Sequence, residues 1–170
     1  VTQTGGEILG ESTPVMIRQR PATIVALAVL AVPGLARATP CAPALAPHPV
    51  DTVRAMYAAA MAGDKAGVTA TFAPDFHAFD VGKRYSAAEF AGIVDALRAM
   101  HVTMAWTVNT PRETVSCDVA WLDWDNRGSA TDAHGTVPLE WLESAVLRWQ
   151  DGAWKIAFFH STQVAKPAPQ

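Results

Sequence analysis

The sequence predicts an α+β fold: three N-terminal helices packed on a curved, mostly antiparallel sheet. Apolar residues recur at helical spacing from Val50 to about Met100, and at a spacing of two from there to Thr162. All six tryptophans lie in the second of these halves, a payload suited to coating one face of a sheet. Helices gathered ahead of the strands, rather than alternating with them, mean segregated layers and not a parallel α/β sheet.

The elements follow in order. Val53, Met56, Tyr57, Ala60 and Met61 fall on one face of a first helix, which Asp51 can cap at its start and Gly63 at its end. Asp64 opens a short second helix carrying Val68 and Phe72 and stopped by Pro74. Phe76–Val81 reads as a brief strand with Gly82 in the turn after it. Ser86-Ala87-Ala88-Glu89 is a capping box that starts a third helix, with Phe90, Ile93, Val94 and Leu97 inward. Val102, Met104, Trp106 and Val108 then alternate along a strand that Pro111 interrupts. A second strand spans about Thr114 to Trp124, and Asp125–Gly135 (DNRGSATDAHG) reads as a polar connection. Two long strands, about Thr136–Trp149 and Ala153–Thr162, flank Gln150-Asp151-Gly152, and an Asp-Gly between alternating apolar runs is a strong hairpin signal.

Composition narrows the class. The 170 residues suffice for one domain with a core. Net charge is −3 without a basic cluster, which argues against a nucleic-acid partner. The hydrophobic half of the composition is unevenly spread: residues 22–32 (ATIVALAVLAV) carry no charge, but fall far short of the roughly 20 residues a membrane-spanning helix needs. Arg18 and Arg20 before this run, Pro33-Gly34 after it and Ala36-Arg37-Ala38 beyond read as a secretory signal peptide over 16–38. Cleavage is expected near Ala38, giving a periplasmic or secreted protein, and residues 1–15 read as a gene-model extension ahead of Met16. Residues 39–49 (TPCAPALAPHP) read as an extended Pro/Ala-rich tether, 50–164 as the domain and 165–170 as a tail. An oxidising compartment permits a Cys41–Cys117 disulfide. The alternation of Cys117 with Val115, Val119 and Trp121 favours instead a buried thiol within a strand.

Three passages resemble the nuclear-transport-factor-two-like superfamily, which includes ketosteroid isomerases and SnoaL-like polyketide cyclases. They are Ala62-Gly63-Asp64 with Phe72-Ala73-Pro74-Asp75, the stretch from Glu143 through Leu147-Arg148-Trp149 to Asp151-Gly152-Ala153-Trp154-Lys155-Ile156, and His160-Ser161-Thr162. The resemblance spans about Val50–Val164. It implies a cone enclosing an apolar pocket and a homodimer formed through the outer sheet face. It also implies that Asp80 stands where ketosteroid isomerases place a proton-shuttling carboxylate. A general base needs such a group in an apolar setting with a matched pKa. Tyr57 sits one residue off the helical oxyanion donor, and Ala145 occupies the place of the second donor. Asp80 has a plainer role as well, since Asp-Val-Gly suits a turn at a strand end.

His160 and Thr162, two apart on a strand, share a face, and are expected to join Trp154, Ile156 and Phe158 in one cavity wall. Tyr57 and Trp106 complete the expected ligand-binding set. Glu143 and Arg148 read as pocket charges or, more commonly for strand residues, as solvated ion pairs. His77, His101 and His134 show no ligand spacing, so neither a metal nor a cofactor is expected. The favoured reading is a secreted domain that binds a small apolar molecule. The alternative is an isomerase or lyase using Asp80 as base and His160 as acid or anchor, and a further one is a dimerisation module without a ligand.

Overall fold

The computed structural model describes residues 41–44 and 46–165. The expected extension and signal peptide lie outside the described residues. The elements are α1 (Pro49–Met61), α2 (Lys65–Ala70), β1 (Phe72–Asp80), β2 (Lys83–Ser86), α3 (Ala87–Ala99), β3 (Thr103–Ser116), β4 (Val119–Asp132), β5 (Gly135–Gln150) and β6 (Ala153–Gln163). The strands form one sheet in the order β2-β1-β6-β5-β4-β3, with β1 and β6 parallel and every other pair antiparallel. The helices pack on its concave face, and the core between the layers centres on Val53, Leu122, Leu147, Ile156 and Phe159. This is the α+β architecture the periodicities predict.

Local chemistry explains most boundaries. Pro49 opens α1, where its missing N–H has no partner to lose. Asp51 pairs with Arg54 instead of capping. Gly63, at φ +70°, ends the turn after α1, and its carbonyl accepts a hydrogen bond from Arg98. The Asp64 side chain caps α2 through the Gly67 N–H, and the Ser86–Glu89 capping box starts α3. Pro74 does not end α2: that helix stops at Ala70, and Phe72 already lies in β1. The turn at Gly82 is as expected, whereas the short strand β2 after it was not apparent in the sequence. Val81 and Gly82, both at positive φ, form that turn.

The strands after Met100 differ from the expected set. β3 runs through Pro111 without ending, because β3 is the sheet edge and the proline falls where the register to β4 shifts, between Asn109 and Arg112. Asp125–Gly135 is not a connection. Most of it is the second half of β4, and the true turns are Cys117-Asp118 and Ala133-His134. Gly128 lies inside β4 because the Ala105 backbone crosses it so closely that a Cβ there would come within 1.9 Å of the Ala105 carbonyl oxygen. The Asp151-Gly152 hairpin is as expected, with both residues at positive φ.

Cys117 is not a buried strand thiol. It sits exposed in the β3–β4 turn at φ +57° and is bonded to Cys41. The bridge changes the account of the Pro/Ala-rich segment, which is fastened along the domain rather than free. Ala42 N–H donates to the Cys117 carbonyl at 3.1 Å, the His48 ring meets the Glu113 carboxylate at 2.7 Å, and Trp154 Nε1 donates to the Pro47 carbonyl at 3.0 Å. The bridge joins residues 76 apart, and closing a loop of that size removes much freedom from the unfolded chain. Cys41→Ser is expected to lower unfolding free energy by about 2–5 kcal/mol. Urea denaturation of the variant should match the wild type under reductant; equal stability of oxidised and reduced wild type would contradict this.

Candidate functional site

The concave sheet face and helices α1 and α3 enclose a cavity of about 270 Å³. Met56 comes from α1, Phe90 and Val94 from α3, and Trp106, Trp141 and Phe159 from β3, β5 and β6. An apolar cavity of about 150 Å³ holds benzene, so this one suits a body of one or two rings.

One wall is polar, and Glu143, for which the sequence left open a pocket charge or a solvated ion pair, dominates it. Glu143 is 6% exposed, and its carboxylate accepts four hydrogen bonds. Tyr57 Oη donates at 2.5 Å, Trp124 Nε1 at 2.8 Å and Asn126 Nδ2 at 2.9 Å, all to Oε2, while Ser161 Oγ donates to Oε1 at 2.9 Å. Asn126 is itself held by the Thr107 N–H, which its Oδ1 accepts at 3.1 Å. All four donors are uncharged. Burial raises the Glu143 pKa above its ordinary value, and the donors only partly pull it back. Burial, then the charge of Glu143, raises Tyr57 well above the usual phenol range, so it remains a donor at neutral pH.

Asp80 is half-buried at the end of β1 and lines the same cavity. Burial raises its pKa, while the Val81 N–H, the Ser161 hydroxyl and the charge of His160 act the other way. Ser161 stands beside both carboxyls, and its one hydroxyl hydrogen goes to Glu143. The turn role and the cavity role of Asp80 coexist, because the Val81-Gly82 turn delivers its carboxylate to the mouth.

Of the expected site residues, the structure brings Asp80, Tyr57 and Trp106 to the cavity. His160, Thr162, Trp154 and Phe158 do not line it. For the three beyond Ala157 the reason is a bulge in β6: Leu147 pairs with Ile156 but Val146 pairs with Phe158, so Ala157 is an extra residue. Past it the alternation inverts, turning Phe159 and Ser161 inward and Phe158, His160 and Thr162 outward. Phe158 packs on His77 and Phe79 across the outer face, with ring centroids 5.1 and 5.3 Å away. His160 and Thr162 lie in a shallow groove behind Asp80. Trp154 is buried elsewhere, edge-on to Trp149. Tyr85 packs against Phe90. Arg148 pairs with Asp75 rather than entering the cavity. Among the described residues no group of three metal-ligating side chains converges.

Glu143 left a signal in the sequence. Leu139, Trp141, Ala145, Leu147 and Trp149 occupy the odd positions on either side of it, and Glu143 is the one charge in that inward register.

Helices closing the concave side of a bent six-stranded sheet, around an apolar cavity with polar groups on one wall, define the nuclear-transport-factor-two-like cone. The chain belongs to the SnoaL-like domain family, which it matches over residues 50–166. Among solved structures, it is similar to a ketosteroid isomerase-like protein from Erwinia carotovora atroseptica, at 21% identity and a TM-score of 0.57, over 69% of this chain and 94% of that one. A Mycobacterium tuberculosis protein of unknown function is similar at 18% identity and a TM-score of 0.61, over 69% and 75% of the two chains. The CamKII hub homology domain of Chlamydomonas reinhardtii is similar at 16% identity and a TM-score of 0.58, over 68% and 95%. At these identities the likeness is one of fold. No curated protein matches the chain.

Glu143→Leu strands four buried donors and is expected to cost about 3 kcal/mol or more in unfolding free energy. The folded carboxyl holds its proton more tightly than the unfolded chain does. Its stabilising contribution is therefore complete below the ordinary value of 4.5 and is lost as pH rises through the raised folded value. The stability difference between wild type and Glu143→Gln should accordingly shrink across that window in chemical denaturation; a difference that grows with pH would contradict it.

Proposed function

We propose that this domain binds a small, largely apolar molecule inside its cone, with Asp80 and Ser161 holding the polar end. The observation that carries this is an apolar, aromatic-walled cavity with a half-buried carboxylate on one side. Trp106 and Tyr57, with ring centroids 5.4 Å apart, form part of its wall.

A proton-transfer role draws support from one feature, the raised pKa of Asp80, which suits a general base facing a carbon acid. The rest of the site supports it less. The Tyr57 hydrogen is already directed at Glu143, so an enolate oxygen would have to compete for it. His160, on the outer face, reaches Asp80 through charge alone. Binding is thus the better-supported function and isomerisation the second reading.

Export to the periplasm or medium is part of the same proposal. Its support is the charge-flanked apolar run and the Cys41–Cys117 bridge, since such bridges persist in oxidising compartments. A homodimer through the outer sheet face is also proposed, on the strength of Trp121 and Leu142, 49% and 57% exposed there.

Native mass spectrometry of protein purified from its own host should show a bound small molecule on the wild type and none on Ala60→Phe, which fills the cavity. An empty wild type that no compound stabilises in a thermal-shift screen would remove the binding reading. Asp80-dependent exchange of a ligand C–H for deuterium would move the second reading to first place. Sedimentation should show a dimer that Leu142→Glu dissociates, and a wild-type monomer would refute the dimer. Exported protein should begin at Thr39, by N-terminal sequencing; an N-terminus inside 16–38 would refute the proposed cleavage.

A further inference from the structure

Resting on the binding function proposed above, we propose that the cavity selects an organic cation, a compact apolar body carrying an ammonium group that seats against Asp80 and Ser161. Hydrogen-bond direction is the first ground. Tyr57 and Ser161 both donate their hydroxyl hydrogens to Glu143, which leaves oxygen lone pairs to face a ligand. Asp80 as a carboxylate offers acceptors as well. An ammonium group has three donors and no acceptor, so it matches this wall, whereas a carbonyl or carboxylate would face it acceptor to acceptor.

The second ground is the charge of the lining. Two carboxyl side chains line the cavity, and among the described residues no Lys, Arg or His does. Lys83, Arg84 and His160 lie in the groove on the other side of Asp80, and Arg98 and His101 in another beside α3. The Arg84 guanidinium is positioned over the Phe79 ring at 4.7 Å, away from the cavity. The third ground is the aromatic part of the lining. Trp106, Trp141, Phe90 and Phe159 give the cavity an aromatic lining, and aromatic faces attract cations most strongly where water is excluded. A neutral apolar ligand would use the aromatic walls and offer the Asp80 charge no counter-charge on the cavity side of a partly dehydrated site.

A shape-matched series separates charge from fit: 1-aminoadamantane, 1-adamantanol and adamantane-1-carboxylate, titrated calorimetrically into the disulfide-intact protein at neutral pH. The amine should bind about tenfold or more tighter than the alcohol, equivalent to about 1.4 kcal/mol, and the carboxylate should bind weakest. In Asp80→Asn the amine-to-alcohol ratio should fall to near unity. An alcohol or carboxylate that binds as tightly as the amine overturns cation selection and leaves the apolar pocket standing. A ratio unchanged in Asp80→Asn overturns the seat at Asp80. No binding by any of the three, at millimolar concentration, overturns cation selection; an empty wild type in native mass spectrometry is what removes the pocket itself.

Discussion

The carboxyl of Glu143 is the point at which five elements meet. It stands on β5 and takes hydrogen bonds from Tyr57 on α1, Trp124 and Asn126 on β4 and Ser161 on β6, and through Asn126 it is tied to the β3 backbone at Thr107. A carboxylate buried without a cation is costly unless its lone pairs are filled. Each of these elements must therefore present a donor at the correct place, and that requirement fixes how the helix layer sits on the sheet. Apolar packing alone tolerates small slides of one layer over another, while four converging donors do not.

The same network shapes the cavity. By drawing the hydrogens of Tyr57 and Ser161 toward itself, Glu143 turns the lone pairs of both toward the enclosed space, beside the Asp80 carboxylate. The β6 bulge at Ala157 is the second requirement, because without the extra residue Ser161 would face outward and His160 inward. A network on one wall and a one-residue insertion in one strand thus decide between a pocket of acceptors and a pocket holding an imidazole.

The fold was legible in the sequence where local chemistry acts over a few residues. The Asp64 cap, the Ser86–Glu89 capping box and the Asp151-Gly152 turn each specify their own backbone and stand where they were expected. The β3–β4–β5 boundaries were not legible. The polar run that closes β4 looks like a loop because its side chains are mostly half-exposed near the end of the sheet, while the real turn at Cys117-Asp118 hides among apolar neighbours. The site was legible in part. Asp80 and Tyr57 follow from family likeness and helical spacing, and both reach the cavity. His160 and Thr162 follow from strict alternation, which one bulge inverts, and no local residue type announces that bulge. Glu143 could have been found as the one charge in the inward register of β5. The cysteine pair could not have been found from alternation, since it depends on where a turn falls.

The central claim is that Glu143 is a buried carboxyl held by neutral donors, and carbon-13 NMR titration of its side-chain carboxyl tests it most directly. The account predicts a midpoint above the ordinary value of 4.5, rising further in Ser161→Ala as one donor is removed. A midpoint at or below 4.5, indifferent to Ser161, would mean that the carboxyl is solvated or paired with a cation, and the organisation of both fold and pocket described here would be wrong.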